Sequence, residues 1–359
     1  MKIEVSSRGV NPASILIDGG GLLYKVHWPT GGAVSDLVDG IERYIRKMLT
    51  SSDVYIIFDR YKDGSIKSGT RDARIGSFQR FYQLTLTRDL PPKEICLSSI
   101  KTKENLFEII SQELCKRFVV NTTANRLVIN AGNPVPEEVQ LGVQISRTDL
   151  ASLYEESDYM IPQQIAAIVS ADEKAVVTVL SAVTDVFVLL CFHLWKCKWH
   201  SIKLHMDTFS DGKDKLISIN NTVEVHKLEI PSLIGLHALS GCDTVPMMFG
   251  IGKSKAMKSV RDAPLILLGE KDADIEEVMQ EAFAFVSRCY GQYNHGSSEN
   301  RQTIWKRKTD SARKSAKPTA LKSLPPTDDA LRENIKRAHF TAALWKNCLS
   351  GNLPPNEPL

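Results

Sequence analysis

Short apolar runs that end at aspartates are the feature that most constrains how this chain can fold. The runs "SILI" and "VYIIF" end at Asp18 and Asp59, and the run "AVVTVL" is followed five residues later by Asp185. Helical patterns separate these runs. Buried strands that alternate with helices are typical of a largely parallel sheet with helices on both faces. We therefore predict an α/β fold with a mostly parallel central sheet.

The remaining elements follow from apolar spacing and turn chemistry. Asp211-Gly212 favours a tight hairpin turn, and Asp328 is predicted as the N-cap of the last helix. The predicted elements are helices over 34–49, 66–84, 105–118, 157–171, 275–293 and 329–347, a strand over 126–130, and a hairpin over 202–228.

Length and composition limit the classes of protein that this chain can be. Its 359 residues are enough for one large domain or two smaller ones. The net charge of +3 gives no general attraction for nucleic acid, so local patches must supply it. Seven scattered cysteines and no signal peptide predict a reducing, intracellular environment. The longest apolar run, Val186–Leu194, is too short to span a membrane, so no membrane association is expected.

Acidic residues collect where the predicted strands end. Glu156 and Asp158 begin a predicted helix, near the aspartates that follow the strands. The carboxyl ends of parallel strands meet at one edge, where α/β proteins place their sites. A single aspartate after a strand is often only a helix cap. Several carboxylates that converge repel each other and need a cation, and hard divalent ions such as Mg²⁺ prefer oxygen ligands.

The stretch "GCDTVPMMFGIGKSKAMKSV", residues 241–260, combines an acid, glycines and lysines in one loop and helix. Asp243 lies near its start. Glycines let backbone groups approach a phosphate or an ion, and lysines attract phosphates without sequence preference. The alternative is a plain helical hairpin with a solvated basic face. The residues predicted to bind nucleic acid are Gly250, Ile251, Gly252, Lys253, Lys255 and Lys258.

Taken in order, five motifs resemble those of flap endonucleases and related structure-specific 5′ nucleases, which have a PIN-like fold. They are "ILIDGGGLLYK", "VYIIFDR", "EESDYMIPQQIA", "VLSAVTDVFVLL" and the stretch at 241–260, and together they cover residues 14–260. The resemblance implies one or two Mg²⁺ or Mn²⁺ ions. The implied metal ligands are Asp18, Asp59, Glu156, Asp158, Asp185 and Asp243.

The same resemblance implies a helix-turn-helix that grips duplex DNA, with K⁺ bound by its backbone. "IKSGTRDAR" is similar to the family's gateway helix, whose basic pair contacts the scissile phosphate; this implies catalytic roles for Lys67 and Arg74. The implied layout is a PIN-like nuclease core over 1–230, the helix-turn-helix over 231–262, and a helical C-terminal region over 263–359.

Two positions depart from the family pattern. Val183 stands where the family has an aspartate that serves the second ion, and Arg60 stands where it usually has glycine. The resemblance therefore implies a metal-dependent nuclease for structured DNA that Val183 has weakened. A different class of function is a PIN-like protein that binds nucleic acid or acts as a scaffold without catalysis. A third alternative is a PIN-like ribonuclease.

Two further patterns leave alternatives open. The basic linker predicted over 291–323 contains "WKRKTDSARKSAK", which fits a nuclear import signal, a nucleic-acid-binding tail or a solvated linker. If the stretch is a nuclear import signal, the protein is expected in the nucleus. Cys191, His193, Cys197 and His200 have ligand types that zinc prefers, but their spacing fits no common zinc finger and favours core packing.

Overall fold

A computed structural model describes residues 11–60, 81–130, 132–210, 213–292, 297–315 and 321–350. One eight-stranded sheet dominates it. The strands are β1 (Ser14–Asp18), β2 (Asp53–Ile57), β3 (Leu127–Asn130), β4 (Glu137–Gln140), β5 (Val143–Ser146), β6 (Val176–Leu180), β7 (Lys203–Ser210) and β8 (Lys213–Ser218). Their order is β5-β4-β3-β2-β1-β6-β7-β8, in which the five central strands pair in parallel and β4, β5 and β8 form only antiparallel pairs.

The described helices belong to two compact units. Among the described residues, the sheet unit runs to Thr222 and includes 348–350, and the helical unit is Val223–Asn347. The helices are α1 (Gly19–Lys25), α2 (Val34–Met48), α3 (Lys93–Ser98), α4 (Ile100–Val120), α5 (Ser157–Ala171), α6 (Thr184–Lys196), α7 (Ile219–Val225), α8 (Leu233–Leu239), α9 (Lys253–Ser259), α10 (Ile275–Cys289), α11 (Ser297–Ser315) and α12 (Asp328–Asn347).

The order of the strands places a crevice at the end of β1. The chain moves from β1 to β2 and β3 on one side, whereas β6 and β7 lie on the other side of β1. In open α/β sheets, ligands bind where neighbouring strands diverge in this way, beyond their carboxyl ends. The register pairs Ile17 with Leu180, so Asp18 lies next to the first residues that follow β6.

A hydrophobic core on one face of the sheet holds the central strands in place. Helix α2 buries Leu37, Ile41 and Ile45 at helical spacing, and α4 buries further apolar residues against the same cluster. On β1, four of the five residues are buried, as expected for a strand that has neighbours on both edges. Helix α5 contacts β1 and β2, and α6 packs against α5.

A close contact joins the ends of β1 and β2. Gly19 directly follows Asp18, and a Cβ atom at Gly19 would lie 2.2 Å from Cδ1 of Phe58. The Phe58 ring stacks on Phe107 with its centroid 4.3 Å away and is fully buried. Interiors are close-packed, so the ring has little room to move. The first glycine of the "GGG" run is therefore required by packing.

The helical unit contains the stretch that was predicted as a helix-turn-helix. Helices α8 and α9 flank residues 240–252, and α12 packs against α8. Gly241 has φ of +109° and lies against the backbone of Met247, so glycine is required there. Whether this pair of helices is a DNA-binding motif stays a prediction. None of the described helices is long and apolar enough to cross a membrane.

Several predicted boundaries differ from those observed. The hairpin over 202–228 ends at Ser218, because the following residues form α7. The segment predicted as a basic linker contains α11, which buries Ile304 and joins Asn300 Nδ2 to Ser287 Oγ at 2.7 Å.

The last helix and the second predicted helix also differ. Thr327, not Asp328, caps α12, since its hydroxyl accepts from the Ala330 N–H at 3.4 Å and its carbonyl from Leu331. Most of the helix predicted over 66–84 lies outside the described residues, and 81–84 have no regular structure.

Candidate active site

Asp18 is the most enclosed carboxylate at the carboxyl edge of the sheet. It is the last residue of β1 and is only 5% exposed. Oδ1 accepts from the Gly20 N–H at 3.1 Å and lies 3.4 Å from Ser157 Oγ, and Oδ2 accepts from Ser181 Oγ at 3.1 Å. The bond to Gly20 makes Asp18 the N-cap of α1. Asp18 therefore has a structural role in addition to its predicted role as a metal ligand.

Ser157 connects Asp18 to Asp59. The Ser157 N–H donates to Asp59 Oδ1 at 2.9 Å, while its hydroxyl contacts Asp18. Since Ser157 is the first residue of α5, one helix N-terminus touches both aspartates, and its dipole favours negative charge there. Adjacent parallel strands thus bring Asp18 and Asp59 to a shared position, as the sequence predicted.

The two aspartates influence each other electrostatically. Burial and then the negative charge of Asp59 raise the pKa of Asp18 to about 6, although hydrogen bonds from Ser181 and two backbone N–H groups favour its ionised form. Ionised Asp18 is therefore costly in this arrangement. A cation between the two carboxylates would reverse the effect, because an opposite charge favours ionisation.

Arg60 fixes the loop that leads to α5. Its backbone N–H donates to Glu155 O at 2.6 Å, and its Nη2 donates to the carbonyls of Ser152, at 2.7 Å, and Tyr154. Arg60 is buried, and its Nε has no hydrogen-bond partner in the described part of the chain. The Arg60 side chain thus positions the loop that carries Glu155 and Glu156.

Three further predicted ligands lie at the starts of α5 and α6. Glu156 immediately precedes α5, Asp158 is in its first turn, and Asp185 is in the first turn of α6. Burial raises the pKa of Tyr159 well above its ordinary value, and the charges of all three acids raise it further. The charges of these carboxylates therefore all disfavour ionisation of one buried phenol.

A complete metal centre is not seen in the described residues. Within the ranges given above, no group of three or more His, Cys, Asp and Glu side chains is placed to hold a metal ion. Val183, at the N-cap position of α6, contributes only its backbone N–H, which donates to Ser181 Oγ at 3.1 Å. The convergence of the predicted carboxylates on an ion stays a prediction.

In the stretch 241–260, some of the groups that were predicted to contact phosphate instead donate hydrogen bonds within the protein. Lys253 Nζ donates to the carbonyls of His237 and Gly241 at 2.5 and 2.6 Å. Ile251 is buried, and its N–H donates to Met248 O. The other predicted residues are at the surface: Asp243, Gly250, Gly252, Lys255 and Lys258 are exposed.

The remaining predicted residues are a basic pair outside the described ranges and the four cysteines and histidines of 191–200. Lys67 and Arg74 lie outside the described residues. Cys191 is buried in α6, and His193 Nε2 lies 3.2 Å from Cys348 Sγ in the same interior. Core packing thus accounts for Cys191 and His193, whereas Cys197 is half-buried and His200 is exposed.

Sequence reasoning did not identify Ser157 and Ser181 as parts of the site. Both are buried, and both contact Asp18. A signal was present, because each is a small polar residue inside or beside an acidic motif: Ser157 separates Glu156 from Asp158. A serine between two candidate ligands at a helix start is positioned to hydrogen-bond a neighbouring carboxylate.

Comparison with solved structures returns nucleases of the class that the motifs resemble. A bacteriophage T5 D15 flap endonuclease complex with DNA and metal ions matches with 13% identity, a TM-score of 0.43, and coverage of 94% of this chain and 91% of that chain. T5 5′-exonuclease with bound zinc ions matches at 12% identity with a TM-score of 0.45, with coverage of 94% and 91%.

The catalytic core of Rad2 in complex with a DNA substrate also matches, at 14% identity with a TM-score of 0.40, covering 70% of this chain and 62% of that chain. No protein-family model and no curated protein sequence matches the chain. The functional proposals below therefore rest on this chain's own residues.

Proposed function

We propose that this chain is a divalent-metal-dependent phosphodiesterase that cleaves structured DNA, with an ion held between Asp18 and Asp59. The observation that carries the proposal is the contact of Ser157 with both carboxylates at the ends of adjacent parallel strands. Two buried or half-buried acids held together by one residue need a positive counter-charge. Their donors are all oxygens, which fits Mg²⁺ or Mn²⁺, with water completing the coordination.

The roles of the protein residues follow from their positions. Asp18 and Asp59 hold the ion, and Ser157, Ser181 and Arg60 hold the acids and the α5 loop in place. When bound, the ion would supply positive charge to a phosphate and lower the pKa of an attacking water. Lys67 and Arg74, outside the described residues, are proposed to contact the scissile phosphate.

Val183 limits the activity in this proposal. Its side chain offers no oxygen to a second ion, so charge on the leaving oxygen is less well balanced. Activity is therefore expected to be low. It is expected to be higher in Mn²⁺ than in Mg²⁺, because Mg²⁺ demands near-ideal octahedral geometry and gives up its water reluctantly, whereas Mn²⁺ is less demanding.

The experiment is a cleavage panel with purified full-length protein. Labelled flap, nicked, hairpin and single-stranded DNA, together with one RNA of matched sequence, are incubated in Mg²⁺, in Mn²⁺ and in EDTA. Cleavage in Mn²⁺ that EDTA abolishes supports the proposal, and a preference for flaps or nicks over single strands supports structured DNA. Cleavage confined to RNA would instead identify a ribonuclease.

A catalytically degenerate protein that binds nucleic acid or acts as a scaffold is the second candidate. The absence of an assembled three-ligand group among the described residues, together with Val183, favours it. It predicts binding of flap DNA with no cleavage in either metal, even at high protein concentration. The same panel, with binding measured beside cleavage, separates the two.

A further inference from the structure

A partly exposed surface of the helical unit alternates cations and aromatic rings. Lys255 Nζ lies 5.6 Å from the centroid of the Tyr290 ring, and Lys308 Nζ lies 5.7 Å from the centroid of the Phe249 ring. The Tyr290 hydroxyl donates to Phe249 O at 3.0 Å, which joins the two pairs. We refer to Lys255, Tyr290, Phe249 and Lys308 as the aromatic–lysine strip.

A hydrogen bond to the backbone and the helices α9, α10 and α11 hold the strip in place. Lys308 Nζ donates to Ser323 O at 2.7 Å, and Ile251 anchors the loop by its buried side chain. The Phe249 ring remains 53% exposed, and neighbouring Met247 is 73% exposed. The surface is thus a fixed support that leaves apolar faces in contact with water.

The charge of the strip favours an anionic partner. Among the described residues, neither Lys255 nor Lys308 forms a salt bridge. Helix α11 adds the exposed Lys306 and Arg307 in the sequence around Lys308. An exposed aromatic ring beside lysines that have no carboxylate partner is the combination by which proteins bind single-stranded nucleic acid: a base stacks on the ring, and the cations contact the backbone.

We infer that the aromatic–lysine strip binds single-stranded DNA, with a base stacked on Phe249 and phosphates contacted by Lys255 and Lys308. A duplex hides the faces of its bases, so stacking on Phe249 requires an unpaired nucleotide. The inference rests on the proposed function only in that the chain acts on nucleic acid, and it does not require cleavage.

The test measures binding of a labelled oligothymidine to the full chain by fluorescence anisotropy in EDTA, so that cleavage plays no part. Phe249→Ala is expected to weaken binding about tenfold, since stacking on an aromatic side chain contributes strongly for each base. Phe249→Trp, which keeps a stacking surface, should bind at least as well as the parent. Leu228→Ala, at another exposed apolar residue, serves as the matched control and should leave binding unchanged.

The charges are tested through the salt dependence of binding. Lys255→Gln and Lys308→Gln should each reduce the slope of log affinity against log salt by about 0.7, the value for one phosphate contact on a single strand. Phe249→Ala should leave the slope unchanged. Lys271→Gln, at an exposed lysine elsewhere in the helical unit, is the charge control.

Two outcomes would overturn the inference. One is oligothymidine binding that Phe249→Ala does not alter although circular dichroism shows the variant to be folded. The other is equal weakening by Phe249→Ala and Leu228→Ala. If the parent binds oligothymidine through the strip but cleaves nothing, the inference stands and only the nuclease proposal fails.

Discussion

The carboxyl ends of β1 and β6 lie side by side, yet they begin the following helices in different ways. At the end of β1, Asp18 caps α1 and both of its carboxylate oxygens have hydrogen-bond partners. At the end of β6, Val183 occupies the N-cap position of α6 without a side-chain cap and is 37% exposed. Ser181 connects the two ends, because its hydroxyl donates to Asp18 and accepts from the Val183 N–H.

This difference shows that the backbone and hydrogen bonds that form the site can be kept without all of its carboxylates. Ser181 hydrogen-bonds to both ends, whereas only the β1 end has a carboxylate at the N-cap position. Backbone position and hydrogen bonds can hold the edge without the second acid. The predictions below test whether the β1 end supplies the chemistry, and whether the β6 end merely lacks a group that could be restored.

The largest expected effect is on catalysis at the β1 end. Asp18→Asn keeps the size of the side chain and an oxygen that can cap α1, but it removes the charge. Cleavage of a flap substrate in Mn²⁺ should fall about a thousandfold, or ~4 kcal/mol in the barrier, because the ion loses a ligand. Asp172→Asn, at an exposed turn, should leave the rate unchanged. Undiminished cleavage by Asp18→Asn would place the active site elsewhere.

The second effect is the dependence of stability on pH without metal. The folded pKa of Asp18 is about 6, above the usual 3.8, so the folded state binds the proton more tightly. The free energy of unfolding should therefore fall as pH rises from 4 through 6, by at most about 3 kcal/mol.

Urea unfolding in EDTA measures this effect. Since Asp18→Asn has no such proton, the variant should gain stability relative to the parent across the same pH range. A constant difference between parent and variant from pH 4 to pH 7.5 would contradict the prediction.

The third effect concerns Arg60, which positions the loop beside the β1 end. Arg60→Gln leaves the buried carbonyls of Ser152 and Tyr154 without their donor, and should lower the free energy of unfolding by about 2 kcal/mol. Arg60→Lys should retain part of the stability. Arg43→Gln, at an exposed arginine on α2, is the control and should change stability by less than about 0.5 kcal/mol. Chemical denaturation measures the free energy of unfolding of all three variants. If Arg60→Gln leaves it unchanged, Arg60 does not position the loop.

The smallest effect tests the β6 end directly. Val183→Asp should raise cleavage in Mg²⁺ about tenfold, since it restores an oxygen ligand for a second ion. Either Val183→Asp or Val183→Asn supplies an N-cap acceptor worth roughly 1 kcal/mol to α6. The asparagine variant therefore separates capping from charge, and it should gain stability without gaining rate. Equal rates for both variants would mean that the β6 end contributes only to folding.

The central strands and the helices α2, α4 and α5 were predictable, because their signals are local, whereas β4, β5, α1, α3 and α6 were not predicted. Helix α5 has the predicted boundaries, and β1, β2, β3 and β6 lie within a residue or two of theirs. The spacing of apolar residues and the presence of β-branched side chains predict such elements. Helix α11 was not predicted, since its sequence is polar and its contact with the helical unit depends on Ile304 and Asn300.

The site was predictable in its acids but not in its supports. Asp18 and Asp59 follow strands, which is visible in the sequence. Arg60 donates to carbonyls 92 and 94 residues away, and no local pattern encodes contacts of that range. The hydrogen bond from Ser181 to Asp18 spans 163 residues and depends on the order of the strands. Charges were thus identified from the sequence, whereas the groups that position them required the fold.

The contact between Gly19 and Phe58 has a consequence for how related sequences can diverge. The two residues belong to different motifs, but position 19 cannot gain a side chain alone, because that side chain needs space that only a smaller residue at position 58 would leave. The other two glycines of the run meet no such obstacle from Phe58. Substitutions at 19 and 58 should therefore be inherited together, while 20 and 21 drift independently. An alignment of relatives in which position 19 varies freely beside an unchanged phenylalanine would contradict this.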